Sequence, residues 1–116
     1  MATKFYKCNH CGNVIEKIVD SKVPVFCCGE KMEELVPNTV EASGEKHIPV
    51  VTHLQDNILK IEVGSVHHPM LPEHHIAFIY VETEHGGIRI DLKDQPVAVV
   101  HLGEEKAVAV YEYCNL

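Results

Sequence analysis

Four of the chain's five cysteines fall within its first 28 residues, as Cys8-Asn9-His10-Cys11 and the adjacent pair Cys27-Cys28. The first pair has the spacing of a metal knuckle, in which a tight turn brings two sulfurs to one ion while backbone N–H groups point at them. Gly12 follows directly, and glycine admits the positive φ such a turn often needs. The second pair departs from the C-x-x-C repeat of a zinc ribbon or rubredoxin, and side-by-side cysteines predict a distorted tetrahedron. His10 lies inside the knuckle, but four thiolates complete the shell without it. Residues 14–19 read as a short strand and 20–24 as its turn, so residues 1–36 are expected to form a small metal module.

With 116 residues the chain has room for that module and a second domain near the lower limit for a self-sufficient core, over residues 37–116. Residues 37–44 read as the linker. Beyond it the pattern has period two: Leu59, Ile61 and Val63 alternate with Lys60 and Glu62, and Ile88, Ile90 and Leu92 with Arg89, Asp91 and Lys93. Residues 76–81, 97–102 and 107–111 are more continuously apolar, which predicts central strands covered on both faces. Asp56-Asn57, Gly86-Gly87 and Gly103-Glu104 mark the hairpin turns. Strands at this spacing with no convincing helix predict a mainly β chain whose second domain is an immunoglobulin-like antiparallel β-sandwich.

A net charge of −7 argues against nucleic acid as a partner, because phosphates attract basic surfaces. No apolar run approaches the roughly 20 residues of a membrane span, and the first residues lack the apolar region of an export signal. A cytoplasmic protein is therefore expected, and a reducing cytosol favours metal thiolates over disulfides.

The second domain carries its own donors. Glu45-Lys46-His47, His67-His68-Pro69-Met70 and Glu73-His74-His75 crowd imidazoles into residues 45–75, and Tyr113-Cys114-Asn115 adds a thiolate near the end. Several imidazoles with one thiolate suit a redox metal better than a calcium or magnesium cage. Adjacent extended residues point to opposite sides, so each histidine pair supplies one ligand; His68 and His74 are favoured, Pro69 biasing His68 to an extended backbone. Each of these histidines taken alone reads as an exposed loop residue. It is their convergence with Cys114 that points to a centre.

Together these motifs resemble the desulfoferrodoxins, which are two-iron superoxide reductases, over nearly the whole length. The match rests on Cys8-x-x-Cys11 with Cys27-Cys28, on Glu45-Lys46-His47-Ile48-Pro49-Val50, on His68-Pro69-Met70, on His74 six residues after His68, and on Tyr113-Cys114-Asn115. The resemblance implies a desulforedoxin-like iron bound by Cys8, Cys11, Cys27 and Cys28. It also implies a catalytic iron held by four imidazoles and a cysteinate, with an open position where superoxide is reduced to hydrogen peroxide. His47, His68, His74 and Cys114 match that ligand set. The family's fourth imidazole lies two residues past Asn115, beyond Leu116, and a site lacking it is expected to hold iron weakly and to admit zinc. Lys46 is expected to attract the anion and support protonation, and Glu45 to gate the open position of the oxidised iron. A rubredoxin-like electron donor and a homodimer are further implications. Two rival readings are an electron-transfer protein whose His/Cys centre is merely structural, and a zinc-stabilised adaptor with no redox role.

Overall fold

The computed structural model describes residues 3–35, 49–64 and 69–115. The chain divides into two compact units, Met1–Thr39 and Val40–Leu116. All paired strands among the described residues are antiparallel. No described helix is long and apolar enough to cross a membrane.

In the first unit β1 (Phe5–Lys7) lies between β2 (Val14–Glu16) and β5 (Glu33–Leu35), while β3 (Phe26–Cys27) and β4 (Glu30–Lys31) form a separate hairpin. Only Cys8 and Met32 are buried among its described apolar residues, and Ile18 and Val19 are exposed, so the strand expected over 14–19 stops at Glu16. Asp20 organises the loop that follows. Its carboxylate receives Lys17 Nζ at 2.9 Å, Lys4 Nζ at 3.2 Å and the Lys22 backbone N–H at 2.8 Å. These contacts, the Lys17 ammonium foremost, hold the Asp20 carboxyl far below the usual carboxylate range.

Among its described residues the second unit is a β-sandwich of two three-stranded sheets. One has β7 (Ile58–Val63) between β6 (Pro49–Leu54) and β10 (Val97–His101); the other has β8 (Ile76–Thr83) between β9 (Gly86–Asp91) and β11 (Ala107–Cys114). The chain changes sheets between β7 and β8, between β9 and β10, and between β10 and β11. Leu59, Ile61 and Val63 of β7 pack with Ile76, Ile79 and Val81 of β8 in one core that also holds Ala98, Val100 and Leu102. Each large aliphatic so buried contributes about 1.5–3 kcal/mol. The period-two reading of β7 is borne out, since its inward residues are buried and Lys60 and Glu62 are not.

Two expectations are corrected. Continuous apolar character predicted β10 and β11 as central strands, yet both lie at sheet edges among the described strands, with Val99 and Val108 exposed. Exposed β-branched residues on an edge lengthen an apolar run without marking burial. The β8–β9 turn is Glu84-His85 rather than Gly86-Gly87, because Thr83 pairs with Gly86 and Glu82 with Gly87. Gly87 instead serves packing: a Cβ there would overlap the hydroxyl and ring of Tyr80. The Asp56-Asn57 turn forms as expected, both residues left-handed at φ 60° and 57°. The Asn57 side-chain amide also reaches across to donate to the carbonyls of Gly103 at 2.9 Å and Glu105 at 2.8 Å.

Candidate metal centres

Cys8 follows β1 directly and opens a turn in which the Gly12 N–H donates to the Cys8 carbonyl at 2.9 Å and the Cys11 N–H points at Cys8 Sγ at 3.4 Å. Gly12 sits at φ 85°, the left-handed conformation that the knuckle reading expects. The adjacent cysteines are accommodated by the β3–β4 hairpin. Cys27 pairs with Glu30, leaving Cys28 and Gly29 as a two-residue turn with φ of 54° and 76°. Both central residues of such a primed turn are left-handed, which suits the strand twist. The left-handed step at Cys28 breaks the strand alternation that would send neighbouring side chains to opposite faces.

All four sulfurs consequently lie within 4.8 Å of one another. Cys11 Sγ is 3.6 Å from Cys27 Sγ, and Cys27 Sγ is 4.0 Å from Cys28 Sγ. A tetrahedron with metal–sulfur bonds of about 2.3 Å has edges of about 3.8 Å, so the cluster fits a tetrathiolate ion. Its electrostatics point the same way. The backbone N–H of Cys11 chiefly pulls the Cys8 thiol down to about 6, whereas the Cys11 and Cys8 sulfurs push Cys28 up to about 12 and also raise Cys27. One negative charge is welcome and further ones repel, a conflict that a bound cation resolves. Among the described residues this is the one His/Cys/Asp/Glu group close enough to hold a metal.

Of the second set, the structure describes His74 and Cys114; Glu45, Lys46, His47 and His68 lie outside the described residues. His74 ends a tight turn begun by Leu71, each donating its backbone N–H to the other's carbonyl at 3.0 and 2.9 Å. Pro72, at the first central position, pre-sets the turn. Cys114 ends β11 and packs on the sandwich core. Tyr113 pairs with Phe78 and Cys114 with Ile76, so β8 carries an extra residue, Ala77, at this point. Such bulges re-aim side chains beside functional sites. Beyond it, Asn115 and His75 continue the contact between the two segments. The His75 ring is engaged elsewhere, with Nδ1 2.9 Å from the Leu71 carbonyl oxygen.

Sequence reasoning passed over two neighbours of Cys114. Glu112 pairs with Ile79, which is fully buried, and its Oε2 has no hydrogen-bond partner among the described residues. Burial pushes its carboxyl up to about 7. The signal was a charge at the inward parity of Val110 and Cys114 in an otherwise apolar strand. Asn115 was read only as part of a motif, yet it bonds to a segment 40 to 42 residues earlier.

The Desulfoferrodoxin family profile matches residues 39–116. A desulfoferrodoxin from Syntrophotalea carbinolica is 40% identical over 113 residues, spanning 96% of this chain and 88% of that protein. One from Nitratidesulfovibrio vulgaris is 38% identical over 115 residues, spanning 97% of this chain and 90% of the relative. The crystal structure of the superoxide reductase from Treponema pallidum superposes with a TM-score of 0.82 at 29% identity, over 99% of this chain and 93% of the other.

Proposed function

The chain belongs to the desulfoferrodoxin family, and from that membership we propose that it is a superoxide reductase with two iron centres. The observation that carries the reading is the junction of the β8 entry turn with the end of β11, which joins the segments bearing His74 and Cys114 in a fold shared with a superoxide reductase. In this reading residues 1–36 are the desulforedoxin-like module, with Cys8, Cys11, Cys27 and Cys28 holding one iron, and residues 37–116 are the reductase domain. His47, His68, His74 and Cys114 hold the second. Iron bound there supplies the single electron that, with two protons, converts superoxide to hydrogen peroxide. Lys46 draws the anion in and supports its protonation, and Glu45 gates the approach. The four-thiolate centre of a cytoplasmic homodimer would exchange electrons with a rubredoxin-like donor.

The test is pulse radiolysis of protein loaded anaerobically with Fe(II). Stoichiometric peroxide without oxygen release, at a rate second order overall, is the expected result, since reduction of superoxide releases no oxygen whereas dismutation does. Absence of any reaction with superoxide in iron-loaded protein would leave the electron-transfer reading in its place.

A further inference from the structure

We propose that Asn115 is a positioning residue that fixes the backbone of His74 relative to Cys114, and so sets the geometry of the second centre. The inference rests on the reading of His74 and Cys114 as ligands. Asn115 Oδ1 accepts the His75 backbone N–H at 2.8 Å, and Asn115 Nδ2 donates to the Glu73 carbonyl at 3.2 Å. The first group belongs to the peptide bond after His74 and the second to the peptide bond before it. One planar amide therefore grips both peptide planes that flank His74.

The two remaining polar groups of this backbone are the N–H and carbonyl of His74 itself, and both bond to Leu71. All four polar groups around the His74 Cα are thus satisfied. The φ and ψ of His74 are determined on both sides, and with them the direction of its Cα–Cβ bond. Asn115 is also tied through its own backbone N–H to the His75 carbonyl at 3.0 Å. Because Cys114 is its covalent neighbour, the amide couples the two donors directly. Asparagine is the residue that can do this: it offers an acceptor and a donor at the ends of one short rigid group. Aspartate retains the acceptor but sets a second oxygen against the Glu73 carbonyl. Groups that orient a ligand in this way typically govern metal affinity by about 10–100-fold.

The experiment compares wild type, Asn115→Asp and Asn115→Ala as full chains loaded with Fe(II) under anaerobic conditions. Three properties are read: hydrogen exchange at the His75 amide, Fe(II) affinity of the second centre, and the cysteinate charge-transfer band after oxidation. Asn115→Ala is expected to expose the His75 amide to exchange, weaken Fe(II) by about 10–100-fold and shift the band, with the four-thiolate spectrum unchanged. Asn115→Asp is expected to keep His75 protection near wild type yet still weaken Fe(II) and shift the band. Unchanged affinity and band in Asn115→Ala, beside a freely exchanging His75 amide, would make the bonds purely structural and overturn the proposal. A fully protected amide in that variant would equally overturn it. Failure of the underlying reading shows elsewhere: Cys114→Ser would then leave Fe(II) binding and the band as in wild type.

Discussion

The ring of buried Tyr80 occupies the space above Gly87, where any other residue would place its Cβ. Gly87→Ala must displace the ring or the strand, and overpacking of this kind costs about 1–3 kcal/mol. Urea unfolding checks the value. In a Tyr80→Ala background the same substitution is expected to cost little, because the clash has been removed, and a full cost there would place the effect in the backbone instead.

Tyr111 donates its hydroxyl to the buried Glu82 carboxylate at 2.9 Å. Burial first, and then Glu82, push the phenol from its ordinary 10 up to about 12. The folded state thus favours the neutral phenol. Its contribution is complete below pH 10 and is lost as pH rises through about 12. Tyr111→Phe is expected to cost about 1–2 kcal/mol at neutral pH and to flatten the decline of stability above pH 10. Unfolding curves for both proteins from about pH 9, a unit below the ordinary phenol value, up to about pH 12 check the sign; parallel declines would contradict it.

Cys11→Ser removes one corner of the sulfur cluster, an exposed thiol 3.6 Å from Cys27. The visible absorbance of the ferric tetrathiolate is expected to disappear. The first unit should also lose order, because Cys8 and Met32 are the buried apolar residues described in it and a core so small depends on its metal. Superoxide reduction by the second centre is expected to persist. Loss of both together, by spectrum and pulse radiolysis, would show that the units are not independent.

Lys46→Ala is expected to slow the bimolecular reaction with superoxide by about tenfold or more and to make it less sensitive to salt, since a local positive potential raises encounter rates with anions. Pulse radiolysis across ionic strengths provides the measurement. An unaltered rate would show that Lys46 takes no part in the encounter with superoxide.

Much of this organisation is legible in the chain itself. The alternation of Leu59, Ile61 and Val63 announces an inward face because a strand repeats every two residues, and the Cys8-x-x-Cys11-Gly12 spacing announces a turn because glycine tolerates its φ of 85°. Gly103-Glu104 and Asp56-Asn57 mark turns for similar local reasons. Two local boundaries were misplaced, the β8–β9 turn by two residues and the strand at 14–19 by three, and the larger failure depended on neighbours distant in sequence. An apolar run cannot tell an edge strand such as β10 from a central one such as β8, since the difference is whether another strand lies alongside. Adjacent cysteines do not by themselves say how both sulfurs reach one ion; the hairpin does, by placing Cys28 at a left-handed turn position.

The sequence alone determined the inventory: which donors exist, which stretches are extended, and where the chain can turn, because these follow from side-chain chemistry and backbone sterics within a few residues. The tertiary structure decided how donors are brought together: it sets the four sulfurs within 4.8 Å of one another and joins the segments that carry His74 and Cys114. The grip of Asn115 on the peptides flanking His74 spans about 40 residues of chain, and the half-buried Glu112 has no partner for its Oε2 among the described residues. Such relations come from the packing of one sheet on another, which no local pattern encodes.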